Sequence, residues 1–179
     1  MNKEYDSVEE LHFSWYLEEL LDNKLITEWN YNKKPLEVTN KQLFLHNDKE
    51  YHLLRNMEYT YDFDCTWTTK GIELLCALKD GKSKKKYKDL PFKVIGNKSY
   101  IDVKGVYTHK NRVTDVTFPI KQKIIYVLFG IYVQKIIPVN LMNLTFYPNK
   151  YIKYMEYKNK IGNKIKTPIV GIKEWLELA

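Results

Sequence analysis

The segment that most constrains the fold is Tyr100-Ile101-Asp102-Val103-Lys104, near the middle of the 179-residue chain. Its apolar, β-branched character predicts a strand, in which successive side chains point to alternate faces. Ile101 and Val103 then share one face, while Asp102 and Lys104 share the other. Two opposite charges on one face of such a strand must be paired, solvated or functional, because an uncompensated buried charge is costly. The charged face is therefore the first candidate for a functional site.

A second segment with the same alternation precedes it, at Tyr61-Asp62-Phe63-Asp64. As a strand it places Asp62 and Asp64 on one face and the two aromatic side chains on the other. Neighbouring carboxylates repel each other, and a divalent cation is a common way to relieve that repulsion. If the two strands are neighbours in a sheet, Asp62, Asp102 and Lys104 gather around one point.

An acidic residue followed two positions later by lysine occurs four times in the chain, so the spacing alone is uninformative. The Asp102 copy differs from the others because it stands in an apolar strand and follows an aromatic strand that carries aspartates. The alternative for Asp102 and Lys104 is an edge-strand ion pair, and the alternative for Asp62 and Asp64 is a solvated strand face.

The remaining pattern predicts one mixed α/β domain. Residues 8–22 predict a helix with Ser7 as N-cap and Glu10 completing a capping box, a role that needs no catalysis. Between 68 and 98 the pattern weakens into a basic excursion. The other predicted elements are strands at 26–31, 41–46, 57–67, 99–107 and 131–137, and a helix at 118–130 with Pro119 in its first turn.

The chain carries 29 basic and 22 acidic residues, and its net charge of +7 favours a polyanionic partner. Two groups of lysines are candidate phosphate contacts, one in the basic excursion and one at the start of the helix at 118–130. For the first group a solvated loop is an equal alternative. The lysines are Lys84, Lys85 and Lys86 in the first group, and Lys121 and Lys123 in the second.

Several function classes lack support in the sequence. Cys65 and Cys76 form no CxxC pair, so a disulfide framework is implausible, and no histidine has a recognised metal-ligand spacing. A glycine-rich phosphate loop and a serine-centred elbow are missing. The polar N-terminus and a longest apolar run of ten residues predict a soluble cytoplasmic protein with no membrane partner.

Three stretches together resemble the PD-(D/E)XK nuclease superfamily, over roughly residues 7–137. Glu10-Leu11-His12-Phe13 resembles the helix that supplies the first acid, Tyr59-Thr60-Tyr61-Asp62-Phe63 the Tyr-Thr-Pro-Asp-Phe signature, and Asp102-Val103-Lys104-Gly105 the Glu-x-Lys-Gly signature. The likeness is to the phage endonuclease I type of Holliday-junction resolvases and to transposon-end nucleases. Here a tyrosine replaces the proline, aspartate replaces the commoner glutamate, and forty residues separate the two aspartates.

The resemblance implies a site for Mg²⁺, for which Mn²⁺ can substitute. The carboxylates of Glu10, Asp62 and Asp102 and the carbonyl of Val103 would bind the metal, which polarises the scissile phosphate. Lys104 would stabilise the developing negative charge or hold the attacking water. The catalytic residues implied are Glu10, Asp62, Asp102 and Lys104, with Glu9 as the alternative to Glu10 and Asp64 as an outer or second-metal ligand.

The fold that the resemblance implies is a mixed central β-sheet flanked by helices. This restriction-endonuclease-like core spans 1–137 and contains the basic insertion 68–98 between the two catalytic strands. A basic C-terminal extension, 138–179, would pack on the core.

The implied function is a Mg²⁺-dependent DNA endonuclease selective for branched or junction DNA, in phage or mobile-element DNA processing. The alternatives are a transposition or restriction-type nuclease, and a non-catalytic DNA- or protein-binding module on a nuclease scaffold. The implied partner is DNA, and the resemblance also allows a homodimer and proteins of the same mobile element. The compartment is the host cytoplasm if the chain is phage-encoded.

Overall fold

The computed structural model describes residues 5–77, 91–105, 112–158 and 164–178. The helices are α1 (Val8–Asp22), α2 (Thr69–Leu75), α3 (Arg112–Phe129), α4 (Pro138–Leu144) and α5 (Ile172–Leu178). The strands are β1 (Ile26–Tyr31), β2 (Leu36–Thr39), β3 (Gln42–His46), β4 (Lys49–Leu54), β5 (Met57–Tyr59), β6 (Phe63–Trp67), β7 (Cys76–Ala77), β8 (Phe92–Lys93), β9 (Lys98–Val103), β10 (Val133–Ile136), β11 (Met155–Lys158) and β12 (Lys164–Thr167).

The central feature is a four-stranded sheet in the order β1-β6-β9-β10. The pairs β1/β6 and β6/β9 are antiparallel, whereas β9 and β10 are parallel and are connected through α3. Antiparallel neighbours need only a short turn, but a parallel pair needs a crossover, which the helix supplies. The prediction of a mixed sheet flanked by helices is confirmed.

The two faces of the sheet are covered by different helices. On one face Ile101 and Val103 belong to the larger buried cluster, together with Phe13 and Leu17 of α1. On the other face Tyr100 packs in a smaller cluster around Ile125 of α3. Because strand side chains alternate, Asp102 lies on the α3 side of the sheet. The predicted alternation along β9 is therefore confirmed.

Helix α1 covers the predicted range 8–22, and its start is fixed by a capping box. The Glu10 N–H donates to Ser7 Oγ at 3.1 Å, and Ser7 Oγ donates to Glu10 Oε1 at 2.9 Å. The other Glu10 oxygen accepts from the Asp6 N–H at 3.1 Å. These contacts satisfy donors that a helix start otherwise leaves without partners.

Residues 36–59 form a two-part ribbon between β1 and β6. Its base is the β2/β5 pair, and its outer part is the β3/β4 hairpin, which we call the hairpin arm (42–54). Asn47 and Asp48 turn the arm with positive φ angles of 49° and 58°, as a tight two-residue hairpin turn requires. Every residue of β3 and β4 is exposed, so the arm projects from the body.

Four of the five predicted strands have other bounds in the structure, and the predicted strand 131–137 is β10, Val133–Ile136. The predicted strand 57–67 is interrupted at 60–62, because β5 pairs with β2 of the ribbon whereas β6 joins the central sheet. The predicted strand 99–107 is β9, which ends at Val103, and residues 106–107 lie outside the described ranges. The predicted strand 41–46 is β3, a member of the arm and not of the central sheet.

The prediction for the second long helix was wrong at its start. Helix α3 begins at Arg112, so Pro119 stands inside the helix and not in its first turn. An interior proline lacks the N–H that would bind the carbonyl four residues earlier. The parallel crossover from β9 to β10 needs a long helix, and packing of its later turns outweighs that lost hydrogen bond.

The C-terminal residues are part of the packed body. Phe146 is fully buried, and its ring stacks on that of Tyr16 with 4.4 Å between centroids. The Lys150 N–H donates to Glu19 Oε1 at 3.0 Å, which ties the segment to α1. None of the helices in the described parts of the chain combines the length and apolar character of a bilayer-crossing segment.

Gly71 allows α2 to pack directly on the turn between α1 and β1. A Cβ atom at this position would lie 2.0 Å from the Leu25 carbonyl oxygen and 2.9 Å from the Trp67 ring. Both neighbours are buried and cannot move aside. We therefore expect Gly71→Ala to lower the free energy of unfolding by about 3 kcal/mol in urea titrations. The exposed Lys70→Ala in the same helix should change it by less than about 0.5 kcal/mol, and equal effects would contradict this account.

Candidate active site

Strand pairing brings the predicted acidic residues together. Phe63 of β6 faces Ile101 of β9 in the antiparallel register, so the next pair along the ladder is Asp62 and Asp102. The Asp62 N–H donates to the Ile101 carbonyl at 2.9 Å, which extends the pairing past the end of β6. The predicted gathering of Asp62 beside Asp102 and Lys104 is what the structure shows.

The Asp62 carboxylate is fixed by the backbone of the opposite strand. Its Oδ2 atom accepts the Val103 N–H at 2.6 Å. A charge-assisted hydrogen bond of this length is among the stronger contacts in a protein. Asp62 is thereby held facing the segment Asp102-Val103-Lys104.

Asp102 is buried, with 4% of its surface exposed, and each of its oxygens has a partner. Lys104 Nζ donates to Oδ1, and the pair shares the β9 face that the sequence predicted. Tyr59 OH donates to Oδ2 at 3.0 Å. A buried carboxylate requires such donors, because desolvation without hydrogen bonds is expensive.

Tyr59 is a residue that the sequence reasoning did not assign to the site. It reaches Asp102 because the ribbon returns at β5, directly before the Asp62 segment. Burial and the neighbouring Asp102 charge raise the pKa of its hydroxyl, so Tyr59 remains a proton donor. Its position three residues before Asp62, in the stretch that resembles the nuclease signature, was the available signal.

The electrostatics of the site centre on Asp62. Burial and then the charge of Asp102 raise its pKa from 3.8 to about 7, and the charge of Glu10 adds to this. The Val103 N–H and the Lys104 ammonium act in the opposite direction. Two carboxylates therefore share one site that a single lysine does not fully neutralise, a situation that favours a bound cation.

These groups line an open cleft of about 220 Å³ between the sheet and α3. Its remaining lining comes from β5, the following turn and α3, and includes the predicted lysine Lys121, which is exposed. Lys123 lies elsewhere, on an apolar groove. Lys84, Lys85 and Lys86 lie outside the described residues. The cleft is lined by Glu58, Tyr59, Thr60, Asp62, Asp102, Lys104, Thr117, Phe118 and Lys121.

Asp64 is not part of this cleft. Its Oδ1 accepts from Asn30 at 3.1 Å and its Oδ2 from the Tyr61 hydroxyl at 3.5 Å. The sequence placed Tyr61 on the opposite face from Asp64, and this was wrong because β6 begins at Phe63 and Tyr61 precedes it. An outer-ligand role for Asp64 has no geometric support.

Glu10 and Glu9 differ in their surroundings. Both Glu10 oxygens are engaged in the cap, and Tyr31 OH also donates to Oε2 at 2.7 Å. Glu10 does not line the cleft, although its charge acts on Asp62. The Glu9 carboxylate lies beside Gly105, 3.1 Å from the position that a Cβ there would take. The capping contacts thus give Glu10 a structural role independent of any metal.

The donor set suits Mg²⁺, because Asp62 and Asp102 supply hard oxygen ligands in one cleft. Among the described residues, no group of three or more acidic, histidine or cysteine side chains is close enough to hold a metal ion. Mg²⁺ commonly binds through one or two carboxylates and keeps several waters, so two aspartates are sufficient. The oxygens that accept one hydrogen bond retain a further lone pair for a ligand.

Comparison with known proteins gives no match to a family model, to a curated protein or to a solved structure. The functional argument therefore depends on the chemistry of the cleft. Its decisive features are two facing carboxylates, a lysine in contact with one of them, and an opening to solvent.

The raised pKa of Asp62 predicts a pH-dependent stability. Between pH 3.8 and about 7 the folded protein retains a proton that the unfolded chain has lost, so the Asp62 contribution to stability falls as pH rises through this window. Asp62→Asn cannot ionise. In urea unfolding with a chelator, its stability relative to wild type should rise from pH 4 to 7 and then level off.

The matched control is Asp64→Asn, which removes a carboxylate two residues away and outside the cleft. A rise of the same size in Asp64→Asn would show that the effect is not specific to the cleft. A flat difference curve for Asp62→Asn would contradict the electrostatic description of the cleft.

Proposed function

We propose that the chain is a Mg²⁺-dependent endonuclease that hydrolyses phosphodiester bonds in DNA. The observation that carries this proposal is the position of Asp62 and Asp102 on adjacent strands, with Lys104 two residues further along the same face. The cleft is open, and it combines two facing carboxylates with an amine in a basic protein. Such a site suits a divalent cation and an anionic substrate. The mixed sheet between helices is the coarse architecture that the nuclease resemblance implies, and a restriction-endonuclease-like core is part of the proposal.

The polar residues at the centre of the cleft each have a role in this proposal. Asp62, Asp102 and the Val103 carbonyl would hold Mg²⁺, which when bound supplies Lewis-acid polarisation of a phosphate oxygen. Lys104 places a positive charge where negative charge develops on the phosphate. Tyr59 keeps Asp102 oriented through its hydroxyl.

The shape and charge of the cleft favour a polymeric substrate. Lys121 is exposed on the α3 side of the cleft and is positioned to contact a neighbouring phosphate. The net charge of +7 would attract the DNA backbone through release of its counterions. Selectivity for branched or junction DNA, and an origin in phage or mobile-element DNA processing, rest on the resemblance.

A second candidate function is a DNA-binding module that does not cut. The observation that favours it is the engagement of Glu10 in the helix cap; among the described residues, no group of three or more acidic, histidine or cysteine side chains is close enough to hold a metal ion. In that case the same cleft would bind phosphates without hydrolysing them. Transposition and restriction-type cleavage differ from the main proposal only in the substrate.

The decisive experiment incubates purified chain and Mg²⁺ with a four-way junction, a linear duplex and single strands. We expect cleavage of the junction, and no cleavage in chelator. Asp62→Asn, Asp102→Asn and Lys104→Ala should each reduce the cleavage rate by roughly 10²–10³-fold while DNA binding stays within about threefold, because these groups act on the developing charge.

The control for this series is again Asp64→Asn, which should retain the wild-type cleavage rate. Cleavage of the duplex and not of the junction would favour the restriction or transposition alternative. Tight junction binding without cleavage in Mg²⁺ or Mn²⁺ would reject the endonuclease and leave the binding module.

Substitution of Glu10 separates its capping role from a metal role. Glutamine keeps one acceptor oxygen for the Asp6 N–H and the Tyr31 hydroxyl, and its NH2 group can donate to Ser7 Oγ, but it carries no charge; alanine loses both the contacts and the charge. Glu10→Ala should lower the free energy of unfolding by about 1 kcal/mol, and Glu10→Gln should change it little.

If Glu10 also assists the metal, Glu10→Gln will lose cleavage while remaining as stable as wild type in urea. Retained cleavage in Glu10→Gln would assign the residue to the cap alone. Glu9→Gln, which changes the acid beside Gly105, is the matched comparison.

A further inference from the structure

We propose that two copies of the chain form a two-fold dimer in which the hairpin arm of each copy docks into an apolar groove on its partner. The groove lies beside the base of the ribbon, between β2/β5 and α3. This inference concerns a surface away from the cleft and does not depend on nuclease activity.

The arm is apolar to an extent that is unusual for a projecting hairpin. Its six large apolar residues are 44–68% exposed, and strand alternation divides them between two faces, with Leu43 and Leu45 on one and Phe44 and Tyr51 on the other. Edge strands of monomers are usually protected by charges or proline, and the charges of this arm, Asp48, Lys49 and Glu50, lie at its tip. The six residues are Leu43, Phe44, Leu45, Tyr51, Leu53 and Leu54.

The groove has a volume of about 400 Å³ and a mainly apolar lining. Val127 and Leu128 of α3 line it and are 80% and 52% exposed. Ile124 of the same helix and Val38 and Met57 of the ribbon base complete its apolar wall. An apolar helix face of this kind is normally covered by another element.

A second copy is the occupant that the chain itself indicates. The arm cannot fill its own groove, because it leaves directly from β2 and β5, which form one wall of that groove. In a two-fold pair with antiparallel arms, each tip reaches the base of the other copy. The six residues of β4 span roughly 20 Å, enough to cross the helix face at 120–128, which is about 12 Å long.

The area and charge agree with this arrangement. Each copy contributes one arm and one groove, so the pair has two contact regions toward the roughly 800 Å² per partner that a stable specific interface buries. Glu50 lies directly opposite Leu45 in the arm, and Lys123 lines the groove. Docking of the Leu43 and Leu45 face would therefore bring a carboxylate of one copy to a lysine of the other.

Sedimentation equilibrium of the full chain, without DNA or metal, tests the dimer. The wild type should have twice the mass of one chain at micromolar concentration. Leu45→Glu and Val127→Glu place charges on the arm and in the groove, and each should raise the dimer dissociation constant by at least about 100-fold. The control Leu178→Glu alters an equally apolar residue on α5 that is 77% exposed, and should have no effect.

A charge exchange tests the pairing of arm and groove without adding charge to an apolar position. Glu50→Lys and Lys123→Glu should each weaken the dimer about tenfold, and the double variant should return to within about threefold of wild type. Circular dichroism checks that every variant is folded.

A monomeric wild type at 100-fold higher concentration would overturn the proposal. A dimer that tolerates both Leu45→Glu and Val127→Glu, or a double charge variant weaker than both single ones, would overturn it as well. Because none of these measurements involves cleavage, they can fail while the endonuclease proposal holds, and the reverse is equally true.

Discussion

The arrangement of the site depends on the pairing of β6 with β9. The register fixed by Phe63 and Ile101 places Asp62 opposite Asp102, and the Val103 N–H then holds the Asp62 carboxylate in position. This brings two like charges together in a partly buried place, which is unfavourable for the folded chain. Lys104 and the Tyr59 hydroxyl offset part of that cost at Asp102, while the raised pKa of Asp62 shows that the compensation is incomplete. A carboxyl group with a strongly raised pKa in a cleft is typical of a functional site.

The sequence predicted this site well because its information is local. Strand alternation needs only neighbouring residues, and it correctly assigned Asp102 and Lys104 to one face and Ile101 to the other. The capping box was equally local, and Ser7 and Glu10 form it as expected. Such short-range patterns are decided by backbone geometry, which every context shares.

The errors arose where distant parts of the chain decide the outcome. Residues 57–67 have one continuous strand pattern, yet they belong to two sheets, because the first part pairs with β2. Asp64 lies outside the cleft, where it accepts a hydrogen bond from Asn30 of β1, a strand distant in sequence. Tyr59 lies in the site because the second strand of the ribbon base, β5, runs back to the Asp62 segment. Pro119 suited a helix start, but the crossover to β10 needs the helix to begin earlier. No local pattern carries these long-range choices.

The stacking of Phe146 on Tyr16 bears on how the chain can be divided. Tyr16 belongs to α1, which packs on the face of the sheet opposite the cleft, so Phe146 completes the layer that supports β6 and β9 from that side. A fragment ending at residue 137 would lack the Phe146 ring. It would therefore have a cavity beside Tyr16 and would admit water to the side of the sheet opposite the cleft. Residues 138–150 thus support the body of the protein and are not an appendage, and the smallest autonomous unit of this protein extends at least as far as Phe146.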